Sequence, residues 1–230
     1  MDAEVLARLG ELLLVPVIEI PDSDLATALA DALIEGGLPC AEITFRSEEA
    51  ATALATIARL RPQLLVGGGT VLSVEQVDRA LDAGAKFLVS PGFNPKVVDY
   101  AMGKGAVTLP GVCTPSEIEM ARMAELEVVK FFPAEAAGGA KYIKALTGPY
   151  RSIRFVPTGG IDASNLEAYL SIPQVMAVGG SWMAPKKLIQ ERKFDEIGQR
   201  TRAAVELAAR LRPAVATPRI GGGAGVGGAR

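Results

Sequence analysis

The sequence predicts a single (β/α)8 barrel capped by a short N-terminal helix, on three observations. Eight short apolar runs recur along the 230 residues, each followed by a stretch of helical period, and glycine or a capping residue sits at many of the junctions. Strands that alternate with helices pair in parallel through right-handed crossovers. A count of eight is accounted for better by closure into a barrel than by an open doubly wound sheet.

Residues 2–13 form an amphipathic helix ahead of the first strand, VPVIEI (15–20). The remaining strand candidates are CAEITF (40–45), LLVGG (64–68), KFLVS (86–90), AVTLP (106–110), EVVKFF (127–132), RFVPT (154–158) and VMAVG (175–179). Helical stretches lie between them near 22–36, 47–60, 73–83, 95–103, 115–125, 139–147 and 163–171. Ser73 before Gln76, Thr114 before Pro115, and Asp162 supply helix starts. Gly36, Gly84 and Gly103 supply stops, where a left-handed residue closes the last turn. Residues 195–212 form a closing helix, so 1–212 is one domain. The tail 213–230, rich in Gly and Ala, is expected to be a flexible extension. Its GGGAGVGG string follows no strand and opens no helix, which removes it as a nucleotide loop.

Composition narrows the function. A chain 49% hydrophobic and 22% charged builds one sizeable core, and a net charge of −2 leaves no basic footprint for nucleic acid or an anionic membrane. No apolar stretch approaches the roughly 18 residues a membrane span needs. The opening residues carry acidic groups within their apolar run and no secretory pattern, so a cytoplasmic protein is expected. The two cysteines, Cys40 and Cys113, stand far apart and read as buried small apolar residues. There is no histidine, which removes the commonest zinc ligand and general base. The chemistry is therefore expected to need no metal or cofactor and to run on Lys, Glu, Asp, Arg, Tyr, hydroxyls and backbone.

Strand parity singles out an acid and an amine. In the second strand Cys40, Glu42, Thr44 and Arg46 share one face, while Ala41, Ile43 and Phe45 share the face that meets helices. In the sixth, Val128, Lys130 and Phe132 share a face. Interior layers of such barrels are filled by alternate strands, so Glu42 and Lys130 can meet across the axis. A buried ammonium has to pair, snorkel or give up its proton. The plainer alternative is an ion pair that only fixes packing. Of the other eight lysines, at 86, 96, 104, 141, 144, 186, 187 and 193, none lies inside a strand near its C-terminal end. Lys86 begins its strand and is read as structural.

Two glycine pairs follow the seventh and eighth strands: Thr158, Gly159 and Gly160 in PTGGID, and Gly179, Gly180 and Ser181 in AVGGSW. Loops at these positions hold phosphate on backbone N–H groups in this architecture. Thr70, in VGGGTVL, is placed to bind a small anionic group, since the ribose-binding acid and GxGxxG spacing of a dinucleotide fold are both missing. Pro91, in SPGFNP, alone reads as a turn.

Together AEITFR, GGGTVL, SPG, PGVCTP, KFFPAE, PTGGI and GGSW resemble the class I aldolases that act on 2-keto-3-deoxy-6-phosphogluconate and 4-hydroxy-2-oxoglutarate, in unbroken order from residue 15 to about 185. The resemblance implies cleavage of a small-molecule 2-keto acid sugar phosphate to pyruvate and an aldehyde, with Lys130 as Schiff-base lysine and Glu42 as proton-transfer carboxylate. It implies that Arg46, Thr70, Pro91 and Phe132 form the pyruvyl pocket. Thr158, Gly159, Gly160, Gly179, Gly180 and Ser181 would ring the phosphorylated end, in a homotrimer. The galactonate-derived epimer is an alternative substrate. A phosphosugar isomerase or epimerase, or a non-enzymatic oligomeric scaffold on the same barrel, is an alternative function. Two departures stand out: GGGT replaces the commoner GAGT, and Glu19 occupies the end of the first strand where some relatives carry an arginine. One cationic phosphate contact is therefore expected to be missing.

Overall fold

The computed structural model describes residues 3–212. The predicted tail, 213–230, lies outside the described residues. Strands are β1 (Leu14–Ile18), β2 (Cys40–Thr44), β3 (Leu65–Gly69), β4 (Phe87–Val89), β5 (Val107–Leu109), β6 (Gly111–Val112), β7 (Val128–Phe131), β8 (Arg154–Pro157) and β9 (Val178–Gly180). Helices are α1 (Ala3–Leu12), α2 (Ala26–Glu35), α3 (Ala50–Leu60), α4 (Val74–Asp82), α5 (Pro95–Gly103), α6 (Pro115–Met123), α7 (Gly139–Thr147), α8 (Leu166–Leu170), α9 (Lys186–Gln190) and α10 (Phe194–Leu211).

The result is an α/β fold with a curled, all-parallel sheet whose ladder is not continuous. One sheet runs β5-β4-β3-β2-β1-β9 and a second runs β6-β7-β8. One break falls within the single strand predicted over 106–110, which is split into β5 and β6 at Pro110. Pro110 has no N–H to give a ladder, so β5 pairs with β4 on one side of it and β6 pairs with β7 on the other. At the other junction β8 meets the β9 segment only through the bridges Phe155↔Val175 and Thr158↔Gly179. The strand predicted over 175–179 is accordingly shorter and later, although Val175, Met176 and Ala177 are buried.

The helix-start chemistry holds in detail. Ser73 accepts a hydrogen bond from the Gln76 N–H, and Thr114 with Glu117 forms a reciprocal capping box ahead of α6. The left-handed stops fall at Gly37, Gly84 and Gly105 rather than at Gly36, Gly84 and Gly103, since α2 caps at Gly36 in helical conformation and α5 runs through Gly103. The helix predicted from residue 163 starts at Leu166, because Asp162, Ser164 and Asn165 bond to one another and to nearby backbone instead. The segment predicted as a helix from residue 22 opens as a 3-10 turn over Ser23–Leu25, capped by Asp22. The short α9 was not predicted.

Strand alternation divides the core. Ala41, Ile43 and Phe45 pack in a cluster with Leu29 and Leu33 of α2 and Leu54 of α3. The first residues of several strands, Leu14, Cys40, Phe87, Val107 and Val128, share the other cluster with Val5, Leu6 and Leu9 of α1. The amphipathic α1 thus covers the N-terminal end of the sheet and leaves the C-terminal end open. Cys40 is fully buried, which pushes its thiol far above the ordinary range, whereas Cys113 is only partly buried, against expectation, because it lies in the loop beyond β6. Among the described residues no helix is long and apolar enough to cross a membrane.

Candidate active site

The buried polar residues converge at the C-terminal end. Lys130 of β7 and Glu42 of β2 are 88 residues apart in sequence, yet Nζ lies 3.5 Å from Oε1 with side chains only 7% and 3% exposed. That distance is long for a charge-assisted hydrogen bond, so the pair is in contact without being locked together. Two features position it. Gly69 at the end of β3 has no side chain, and a Cβ there would come within 2.3 Å of Glu42 Oε1. The Phe132 ring lies 5.2 Å from Lys130 Nζ and gives the ammonium a polarizable apolar wall.

Two residues further along the same strand faces, Thr44 and Phe132 line a cavity of about 350 Å³, with Arg46 at its mouth. A step of two strand residues is roughly 6.6 Å, so the Lys130–Glu42 pair lies one side-chain layer beneath. The rest of the wall is Val17, Glu19, Thr158, Gly159, Gly160, Ile161, Gly180, Ser181 and the segment Ala184–Lys186. Thr44, buried, donates its hydroxyl proton to the Ile18 carbonyl.

Both glycine pairs have structural reasons for being glycine. Gly159 and Gly160 adopt φ of +105° and +78°, a left-handed turn that folds against Glu135. At Gly179 and Gly180 a Cβ would strike Thr158 Oγ1 at 2.3 Å and the Trp182 ring at 1.8 Å. The backbone that results is suited to an anion. Among the described residues, the N–H groups of Gly160, Ile161 and Ser181 donate to no protein acceptor. Glu135 also accepts a hydrogen bond from Tyr169 of α8, which ties the turn after β7 to α8; burial, and then this bond, hold the phenol well above its usual range.

The structure brings most of the predicted site together. Arg46, Phe132, Thr158, Gly159, Gly160, Gly180 and Ser181 line the cavity. Gly179 does not, since its place is against Thr158, and neither do Thr70 or Pro91. Thr70 directly follows Gly69 and is a non-glycine residue at φ +57°, a conformation that costs a β-branched residue about 1–2 kcal/mol. The Pro91 carbonyl rests against Gly111, where a Cβ would approach it to 2.1 Å, and Gly111 is the register partner of Lys130. Sequence reasoning missed Val17, Thr44, Ile161 and above all Lys186, which had been set aside with the lysines that do not lie near the C-terminal end of a strand. Its signal was its position in SWMAPKK, in the loop that follows the last glycine pair. The departure to GGGT has a packing cause: a Cβ on Gly68 would lie 2.9 Å from that of Ala80 in α4.

A buried amine paired with a carboxylate under an anion-binding mouth is suited to covalent chemistry on a carbonyl compound. The family model for KDPG and KHG aldolase matches residues 5–200. The chain belongs to that family. It is 47% identical to the 2-dehydro-3-deoxy-phosphogluconate aldolase of Haemophilus influenzae over 204 residues, which is 89% of this chain and 96% of that one. The KHG/KDPG aldolase of Escherichia coli K12 is 39% identical over 192 residues, covering 84% and 90% of the two chains. Among solved structures, KDPG aldolase from Legionella pneumophila with pyruvate captured at low pH as a covalent carbinolamine intermediate superposes with a TM-score of 0.85. It is 34% identical, covering 88% of this chain and 98% of that one. The family model spans every residue that lines the cavity, from Val17 to Lys186.

Proposed function

We propose that the protein is a class I aldolase that cleaves 2-keto-3-deoxy-6-phosphogluconate to pyruvate and glyceraldehyde 3-phosphate, and that it also acts on 4-hydroxy-2-oxoglutarate. The observation that carries the reading is the buried Lys130–Glu42 pair, 3.5 Å apart, directly beneath the glycine-rimmed cavity. The unprotonated Lys130 amine attacks the C2 ketone, giving a carbinolamine and, with loss of water, a protonated imine. Glu42, directly or through a water, takes the C4 hydroxyl proton. The C3–C4 bond then breaks, its electrons pass to the iminium as an enamine, and the aldehyde leaves. Return of a proton to C3 and hydrolysis of the imine release pyruvate and the free lysine. Arg46, Thr70, Pro91 and Phe132 hold the pyruvyl end, and the loops carrying Thr158–Gly160 and Gly179–Ser181 hold the phosphorylated end.

The same reading takes the two sheets as one closed (β/α)8 barrel. The chain passes directly from β5 to β6 across Pro110, and the Thr158↔Gly179 bridge joins β8 to β9. It also takes the protein to be a homotrimer, on the family resemblance alone, and to be cytoplasmic, as the sequence leads one to expect. Incubation with pyruvate and borohydride, followed by peptide mass spectrometry, is expected to find a reduced adduct on Lys130. An unmodified Lys130 in folded, treated protein refutes the imine. Comparison of kcat/KM for the gluconate-derived, galactonate-derived and 4-hydroxy-2-oxoglutarate substrates ranks them.

A further inference from the structure

The cavity mouth carries three charged side chains, Arg46, Glu19 and Lys186, and two of them are paired: Lys186 Nζ lies 2.5 Å from Glu19 Oε1. The residues are 167 apart in sequence and meet because β1 is hydrogen-bonded to β9, with Val15 opposite Gly179 and Pro16 opposite Gly180. Glu19 is the first residue beyond β1, and Lys186 follows Ser181 by five positions at the start of α9. Lys186 therefore stands on the same segment as the Ser181 N–H. The Thr158↔Gly179 bridge sets the Gly159–Gly160 turn on the other side of β9. The pair sits over the end of the cavity lined by backbone donors, with side chains 48% and 32% exposed, so both ends can exchange partners with solvent or ligand.

We infer that Lys186 is the cation for the substrate's distal phosphate, and that Glu19 competes for it, so that the pair sets the preference between phosphorylated and unphosphorylated substrates. The inference rests on the aldolase reading. Backbone N–H groups alone give a dianion hydrogen bonds without a neutralising charge, and an arginine at the end of the first strand is missing here; Lys186 supplies the charge from the opposite strand neighbour. A phosphate dianion draws the ammonium from a carboxylate more strongly than a neutral hydroxyl end does. Glu19 by itself repels the same dianion. Only a phosphorylated ligand therefore gains by opening the pair.

The test is the ratio of kcat/KM for 2-keto-3-deoxy-6-phosphogluconate to that for 2-keto-3-deoxygluconate, in wild type, Lys186→Met and Glu19→Gln. The ratio is expected to fall about tenfold in Lys186→Met, the scale of one charge-assisted contact, and to rise about threefold in Glu19→Gln. A pair that only pins α9 to β1 would move both substrates together, and an unchanged ratio in Lys186→Met overturns the assignment. Inorganic phosphate titrated into the same proteins gives a second reading that needs no turnover. Its dissociation constant is expected to rise about tenfold in Lys186→Met, and equal affinity for wild type and variant overturns the assignment. Should wild type cleave neither substrate, the aldolase reading fails and the phosphate titration alone decides the role of Lys186.

Discussion

Gly69→Ala adds one methyl group to the wall behind Glu42 and should disable the enzyme without replacing a reactive residue. The new Cβ would lie 2.3 Å from Glu42 Oε1, 2.5 Å from Cγ and 2.8 Å from Cδ, where ordinary contact begins at 3.4 Å. Glu42 has to give way by about 1 Å, and its side chain, 3% exposed, has no solvent to move into. Its contact with Lys130 at 3.5 Å is the interaction that breaks first. A misplacement of about 1 Å at a proton-transfer group is worth about 100-fold in rate, and overpacking costs about 1–3 kcal/mol in stability. Gly68→Ala is the control, because its Cβ meets Ala80, Phe45 and Leu88 on the helix side at 2.9, 3.3 and 3.4 Å. It should cost about 1 kcal/mol and leave kcat within about threefold. Pyruvate release coupled to lactate dehydrogenase gives kcat, and urea unfolding gives stability. A Gly69→Ala enzyme with wild-type kcat, or a Gly68→Ala enzyme equally inactive, refutes the reasoning.

Lys130→Ala should abolish cleavage and the borohydride adduct, and should lower stability by about 3 kcal/mol because Glu42 is left buried without its partner, as urea unfolding would show. Replacing Thr70, at φ +57°, by glycine should raise stability by about 1 kcal/mol while raising KM for pyruvate-forming substrates; unchanged stability in thermal unfolding would argue against strain at this position. Arg61 binds Asp31 through two contacts of 2.5 and 2.7 Å and holds its carboxyl below the usual carboxylate range. A lowered folded-state pKa contributes stability above the unfolded-state pKa, and that contribution is lost as pH falls through the folded-state value. Asp31→Asn should therefore cost under about 1 kcal/mol at pH 7, given the exposed setting, with the difference from wild type shrinking as pH falls below the ordinary carboxylate range.

Much of the site was legible because its signals are local. The two-residue period of CAEITF placed Glu42 with Thr44 and Arg46, and that of EVVKFF placed Lys130 with Phe132, before any contact was known. The glycine pairs were visible for the same reason, since a left-handed turn or a close backbone approach is written into the residue that occupies it. Helix starts at Ser73 and Thr114 are bonds spanning three residues, so a short window of sequence contains both partners. The glycine stops were less accurate, by one residue at Gly37 and two at Gly105, because where a helix ends depends on what its last turn packs against.

The features that escaped are those whose partners are far apart. Pro110 is plain in the sequence, but its consequence, a ladder handed from one sheet to another, depends on which strands flank it. Gly68 looked like a neutral departure until Ala80 proved to stand 2.9 Å from where an added methyl group would sit. Lys186 looked like one more lysine away from the C-terminal end of a strand until the pairing of β1 with β9 set it against Glu19, which lies 167 residues earlier. Periodicity and turn chemistry decide which face a residue takes. Only long-range strand pairing decides what stands opposite it, and in this protein that pairing brings the amine to its carboxylate and the ammonium to the mouth of the cavity.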